Sequence, residues 1–382
     1  MENKIIKKIQ LPVYLRLTTI LLGIVLIIFV MQQAKSILVP ILVSGLLAIL
    51  ISPLTSWLEK KRMAPALAAA IGLTALLILI SGIVYFFYNQ ILNLSGDLEG
   101  LELRFGQLVG QINAFIAEHF DGAVPISIDS IKDLVFIQVR DNINVLTQGI
   151  LATAGTITLI FIIPVYIFLF LYYRGFIVDF FKKVFTKQHE EKVNNAVSKV
   201  KSVVQNYIKG AFIVICILAV LNSIALYSLG IKHAMLFAVF AALLNVIPYV
   251  GPFLGAIFPI SYALLTTDSL WYPFGVFLAF YVIQLFEGNF FTPKIVGSKV
   301  SMNPLMTIIA LFVGNFIWGF AGMILFIPGI AILKVIFDEI EGMEAYSFML
   351  GSVKPKNKTG ANRARSAIQK ARKAIKSKRA KS

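Results

Sequence analysis

Five polar side chains stand in stretches that are otherwise hydrocarbon: Asn245, Gln284, Glu287, Asn289 and Asn315. Such groups are expensive inside an apolar segment and mark solute or ion pathways. Glu287 is the ionisable one. It follows an eighteen-residue span without a charge and precedes the helix-breaking Gly288. A carboxylate so placed can carry a proton or a cation, because withdrawal from water penalises its charged form. The alternative is an interfacial carboxylate that is wetted by water or paired with Lys294. Asp338, Glu339 and Glu341, which end the last apolar run, read as solvated charges.

Other chemistry is poorly served. No G-x-x-x-x-G-K-[ST] phosphate loop and no H-E-x-x-H pair occurs, and Cys216 is the single cysteine. His119, His189 and His233 are scattered singly, so neither a zinc cluster nor a nucleophile–base pair is expected. The chain does not read as an enzyme, and no cofactor is implied.

The polar groups sit beside two broken apolar segments. Ala234–Thr266 is interrupted by Asn245, Pro248, Gly251, Pro252 and Gly255, leaving arms of about fourteen residues. Pro304–Phe337 is interrupted by Gly314, Asn315, Trp318, Gly319 and Gly322, with Pro328 and Gly329 further on. Lipid offers no partner to a freed N–H or C=O, so broken helices survive only where protein or a wet cavity surrounds the break. Paired interruptions are also the best sequence pointer to a transport site. Asn245, Pro248, Gly251, Pro252, Gln284, Glu287, Asn289, Pro293 and Asn315 are therefore the candidate substrate- or ion-binding residues. Each broken segment could cross once, cross twice or form a hairpin; the short arms and Lys294 and Lys299 favour hairpins, one entering from each side.

The elements that must hold these residues are membrane helices. Of 382 residues, 58% are hydrophobic and 14% charged, against roughly 45–50% and about 25% in soluble chains. Leu15–Gln33, Ser36–Trp57, Ala64–Tyr88, Gly149–Tyr173, Gly210–Leu229 and Leu270–Glu287 each approach the 20 or so residues that a span needs. With the broken segments, this predicts an all-α polytopic protein of about eight membrane segments. The first apolar run reads as a retained helix, since it lacks a small-residue cleavage site.

Lys/Arg bias orients the chain. The N-terminus and Lys60, Lys61 and Arg62 are basic, and residues 174–209 carry eight Lys/Arg against three acids. Residues 91–148 carry eight acids against Arg104, Lys132 and Arg140. This places 91–148 outside and both termini in the cytoplasm of a bacterial inner membrane. The net charge of +16 is concentrated in the tail, where twelve Lys/Arg follow from Lys354. That arm is suited to anionic lipid rather than to specific nucleic-acid recognition. The resulting divisions are 1–90 (three helices), 91–148 (external), 149–173 (fourth helix), 174–209 (cytoplasmic), 210–342 (broken-helix core) and 343–382 (tail).

Two polar segments have their own patterns. Leu94, Leu98, Leu101, Phe105, Leu108, Ile112 and Phe115 form a heptad seam. It could pack on a second external helix around Ser130–Leu146, on the membrane domain, or on neighbouring subunits. Val193, Val197, Val200, Val204 and Tyr207 stripe the segment Lys187–Lys209. It reads as an amphipathic helix on the inner leaflet or as an extension of the next span.

The blocks Pro248–Gly255, Gln284–Gly297, Asn303-Pro304-Leu305, Gly314, Trp318-Gly319, Gly322 and Pro328-Gly329 resemble, in order, those of the autoinducer-2 exporter family. Asn303 stands where members commonly carry His, and Glu287 where many carry Asp, which keeps the carboxylate. The resemblance implies a homo-oligomeric transporter, with members linked to export of autoinducer-2 and others to Na⁺(Li⁺)/H⁺ exchange. The leading expectation is a secondary transporter exporting a small polar solute on an ion gradient. The alternatives are a Na⁺(Li⁺)/H⁺ antiporter and a non-transporting membrane scaffold.

Overall fold

The computed structural model describes residues 12–120, 154–184, 190–296 and 302–351. Among these the chain is helical, with no strand beyond an isolated bridge between Met302 and Gly351. The second external helix expected around Ser130–Leu146, Lys299 and the basic tail from Lys354 lie outside the described residues.

Three long helices come first: α1 (Val13–Gln33), α2 (Lys35–Lys60) and α3 (Pro65–Ser95). No residue of α1 is buried. α4 (Leu98–His119) leaves α3 through Asp97, and α5 (Ala154–Tyr172) packs on α2 and α3 through Ala48, Ala69, Leu76, Ile167 and Leu171. The chain then bends by 67° into α6 (Arg174–Val184). Arg174 fixes the bend, donating to Ser56 (2.9 Å), Thr55 (3.2 Å) and the Glu59 carboxylate of α2. This end of the molecule is the Arg174 end.

α7 (Glu190–Ser228) is one continuous helix of 39 residues. Of the two readings of Lys187–Lys209, the structure therefore takes the second, an extension of the next span. Val204 of its stripe is fully buried against protein, which a helix lying on lipid would not allow. Among the described residues it is α6 that is short and strongly amphipathic, with Phe176 and Phe180 exposed.

Both broken segments fold as antiparallel helical hairpins. The first is α8 (Ala234–Leu244) and α9 (Val250–Thr266). Its arms touch backbone to backbone: a Cβ on Gly251 would lie 1.8 Å from the Leu244 carbonyl oxygen, and one on Gly255 2.8 Å from the Ala241 Cα. At 1.5 Å per residue α8 is about 16 Å long, against about 30 Å of hydrocarbon. The second hairpin is α12 (Pro304–Trp318) and α13 (Phe320–Glu339), closed by Gly314 against Gly322. Its turn needs glycine, since Gly319 has φ 65° and ψ −141°. Trp318 Nε1 and Gln32 Nε2 tie that turn to the α1–α2 turn, bonding the Met31 carbonyl (2.8 Å) and the Phe316 carbonyl (3.1 Å). This hairpin thus reaches the end opposite Arg174. Asn303 caps α12 through Leu305 N–H (3.0 Å), and α14 (Glu344–Leu350) packs at its base.

Six helices among the described residues are long and apolar enough to cross a membrane, or seven if α5 and α6 count as one span. α8, α9 and α12 are apolar but shorter. This agrees roughly with the expected eight segments.

The main core lies at the end opposite Arg174. Leu226, Ile231, Phe237, Tyr262, Val276 and Phe280 pack there with Leu94, Leu98 and Leu101. The first part of the heptad seam therefore packs on the chain's own membrane domain, whereas Ile112 and Phe115 remain exposed. Ion pairs clasp the same end. Arg104 meets Asp268 at 2.7 Å, and Asp97 accepts from Lys232 (2.7 Å) and His233 (2.8 Å). The hydrogen bond from Lys232, then that from His233, holds the Asp97 carboxyl below its ordinary pKa.

Candidate functional site

The site is built on α10 (Trp271–Phe286), which does not end at Glu287 but runs through a π-helical turn, Glu287–Phe291, into α11 (Thr292–Ile295). Thr292 N–H bonds the Glu287 carbonyl, five residues back. In a regular α-helix, positions five apart point about 140° from each other. The wider turn brings the Thr292 hydroxyl onto the Glu287 carboxylate. Such single π turns recur at functional sites.

Glu287 is buried, 9% exposed, and its second oxygen accepts from Gln284 Nε2 at 2.7 Å. The carboxylate therefore has two donors and, among the described residues, no ion-pair partner, and Lys294 lies over the Phe290 ring. The pairing with Lys294 that the sequence offered as one alternative is not formed. Asn289 points elsewhere: its amide donates to the Leu285 carbonyl (2.9 Å), which helps satisfy backbone that the π turn disturbs.

A cavity of about 650 Å³ opens in front of this group. α7 supplies one wall, from Tyr207 through Leu218 to Asn222, a face about 22 Å long. The tip of the α8–α9 hairpin supplies another, with Asn245, Pro248, Tyr249, Pro252 and Phe253. α10 and the π turn complete it with Phe277, Phe280, Tyr281, Gln284, Glu287 and Thr292. The apolar core around Leu226 and Phe280 closes it at the Asp97 end.

The hairpin tip is strained. Tyr249 has φ 66° and ψ −48°, and Val250 N–H bonds the Pro248 carbonyl at 2.8 Å. This is a γ-turn of the rare positive-φ kind, costing of order 1–3 kcal/mol where the surroundings enforce it. Gly251 enforces it: the chain can turn this tightly only because nothing stands between Gly251 and Leu244.

Five of the nine residues singled out in the sequence meet at the cavity: Asn245, Pro248, Pro252, Gln284 and Glu287. Gly251 sits behind it, buried in the hairpin contact. Asn289 and Pro293 are exposed and absent from the cavity wall. Asn315 is exposed on α12, where its carbonyl accepts the Gly319 N–H (2.8 Å), and it too lies outside the cavity. At the end of α13, Asp338 bonds Lys334 (2.9 Å) and Ser347, and Glu339 pairs with Lys199.

Sequence reasoning missed Asn222 and Thr292. Asn222 carried a usable signal, an amide within the apolar run Gly210–Leu229. Thr292 carried none, because only the π turn brings it to Glu287. No group of three or more His, Cys, Asp or Glu that could hold a metal ion occurs among the described residues.

An apolar, all-helical bundle with a broken-helix pocket at a buried carboxylate defines a polytopic membrane protein with the architecture of a transporter. The profile of the AI-2E family transporters matches residues 17–342, and the chain belongs to that family. It is 25% identical over 370 residues to the candidate transport protein YrrI of Bacillus subtilis, covering 86% of this chain and 96% of that one. A candidate transport protein of Haemophilus influenzae is 25% identical over 363 residues, covering 89% and 98%. YtvI of Bacillus subtilis, another candidate transport protein, is 31% identical over 140 residues, 36% of each chain.

Proposed function

We propose that this membrane transporter is a secondary transporter that exports a small polar organic solute of the autoinducer-2 type, coupled to an ion gradient through Glu287. The observation that carries the reading is a buried carboxylate, held by Gln284 and Thr292, that faces a cavity closed at one end by packed core. Ionised Glu287 engages both donors. Protonated, it becomes a donor itself, which releases Gln284 or Thr292 to a solute. Proton occupancy and solute occupancy then compete for the same hydrogen bonds, which is the differential contact that coupling requires.

In this reading the Arg174 end and both termini face the cytoplasm of a bacterial inner membrane, as the basic loops direct. The basic tail rests on anionic lipid, and the chain assembles as a homo-oligomer. The Na⁺(Li⁺)/H⁺ antiporter remains the second reading, favoured by the same carboxylate. Against it, the Glu287 oxygens are occupied by an amide N–H and a hydroxyl, whereas a bare cation calls for a shell of oxygens.

Proteoliposomes containing a pH-sensitive dye, given an imposed pH gradient, test both. Proton flux released by Na⁺ or Li⁺ and lost in Glu287→Gln would establish antiport. Proton flux released by autoinducer-2, again lost in Glu287→Gln, is the result expected for the leading reading. Flux with none of these would leave the membrane scaffold.

A further inference from the structure

The bend between α5 and α6 falls where a bilayer would end. The 19 residues of α5 span about 28 Å, close to the roughly 30 Å of hydrocarbon in a membrane. Aromatic rings continue around the corner. Phe168 stacks on Tyr172 (6.1 Å between centroids), Tyr172 meets Tyr173 edge-on (4.8 Å), and Tyr173 meets Phe176 edge-on (6.3 Å). Trp57 of α2 stands at the same level, next in sequence to the Ser56 that Arg174 bonds, and the Lys61 ammonium lies 3.8 Å from its ring centre. Trp57, Tyr172, Tyr173 and Phe176 are all exposed. A belt of exposed aromatic side chains at one level marks a membrane–water interface.

With α5 crossing the bilayer, the 67° bend leaves α6 nearer the membrane plane than its normal. The sides of α6 suit that pose. Ile177 and Val178 are partly buried. Consecutive helical residues point about 100° apart, so the exposed Phe176 and Phe180 share one flank and the exposed Gly175 and Asp179 another. A helix lying in the interface turns its aromatic flank to acyl chains and its polar flank to water. The charges agree. Lys60, Lys61 and Arg62, just past the contacts of Arg174 with α2, are exposed, as is Lys183 of α6, while Glu59 is engaged by Arg174.

We propose that α6 is an in-plane anchor that docks on an anionic phospholipid leaflet at the Arg174 end, with Phe176 and Phe180 among the acyl chains and Lys60, Lys61, Arg62 and Lys183 at the headgroup phosphates. A second copy docked through this same surface would bring like charges together, whereas the phosphates complement them. Arg174 acts as the positioning residue. By tying the bend to Thr55, Ser56 and Glu59 it holds α6 and the cations at the end of α2 at one height. This surface is separate from the cavity and does not depend on what the cavity carries.

Spin labels test the pose in the full chain, carrying Cys216→Ser and reconstituted in equimolar phosphatidylcholine and phosphatidylglycerol. The label sites are Gly175→Cys, Phe176→Cys and Phe180→Cys, each made singly. A Cβ on Gly175 meets nothing within 4 Å and both rings are exposed, so the sites should accept a label. Labels at 176 and 180 are expected to collide with oxygen, which concentrates in lipid, and to be shielded from a water-soluble nickel chelate. Their depths should differ by about 2 Å, against about 6 Å for a helix running on along α5. The label at 175 should show the reverse accessibility. Nickel access at 176 and 180 equal to that at 175 would put α6 in water. Shielding from both reagents with spin–spin broadening would seat a second copy there, and either result would overturn the proposal. The charge is tested in detergent, where fluorescent phosphatidylglycerol should bind more tightly than fluorescent phosphatidylcholine. Lys60→Gln, Lys61→Gln and Arg62→Gln together should weaken that binding about fivefold for each charge removed. The basic tail is intact in both proteins, so an unchanged preference would assign it to the tail and overturn the docking site.

Discussion

Gly251→Ala is the sharpest perturbation available. The added Cβ would lie 1.8 Å from the Leu244 carbonyl oxygen, where ordinary contact begins at 3.4 Å, so the hairpin must open by about 1.6 Å. Neither atom can rotate away, because the obstacle is backbone. A gap of 0.5–1 Å already forfeits a quarter to a half of each contact's attraction, and the neighbouring contact of Gly255 with Ala241 opens with it. Overpacking of this kind typically costs 1–3 kcal/mol, and the backbone obstacle puts this case at about 3 kcal/mol or more. The Tyr249 turn also loses what enforces it, so the cavity wall at Pro248 and Pro252 should shift. Melting in nanodiscs, followed by tryptophan fluorescence, should fall by several degrees, and solute-driven proton flux should weaken. Gly288→Ala is the control: it lines the same cavity but has nothing within 4 Å, so it should be tolerated. A Gly251→Ala protein that melts with wild type and keeps its flux would refute the hairpin contact and the strain argument with it.

Three further outcomes are expected. Replacing Gly100, Gly106 and Gly110 of α4 by Ala meets nothing within 4 Å and should stabilise the chain by roughly 0.4–1 kcal/mol per site; loss of oligomer in size-exclusion chromatography would instead place these glycines in a subunit contact. Arg174→Ala should cost about 1–3 kcal/mol by unpairing Glu59 at the α5–α6 bend, read as a lower melting temperature that Arg174→Lys restores only in part. Asp97→Asn should cost at most about 1 kcal/mol, since the carboxylate is 27% exposed and Lys232 66%. The Asp97 carboxyl is held below its ordinary pKa, so its contribution is complete above about pH 4 and fades as pH falls through the depressed value. The melting difference between mutant and wild type should therefore close on acidification, and a difference that persisted at low pH would count against the ion pair.

Apolar run length made the long helices legible, and Pro and Gly at 245–255 and 314–322 made the two breaks legible; that the second reaches the far end, with an arm long enough to cross, was not. The same residues hid how close the arms come, because a glycine written in sequence looks alike whether it bends a chain or admits a backbone. Glu287 and Gln284 could be picked out by polarity alone, three residues apart on one helical face. Thr292 could not, since its approach to Glu287 depends on a change of helical pitch that hydropathy does not encode. For Lys187–Lys209, a valine stripe looks the same whether it faces lipid or protein; only the burial of Val204 shows which.

The π turn at Glu287–Phe291 holds one residue more than an α-helix would place there. If that surplus migrates by one position, the residue it passes turns by about 100° and shifts by about 1.5 Å along the axis, while the helix on either side keeps its place and each backbone group involved exchanges one acceptor for another. Thr292, at the edge of the turn, would swing off the carboxylate, while Val296 would keep its seat on Gly210. The segment thus works like a vernier: a small change in hydrogen bonding at Glu287 becomes a discrete turn of a single side chain, with no hinge and no unfolding.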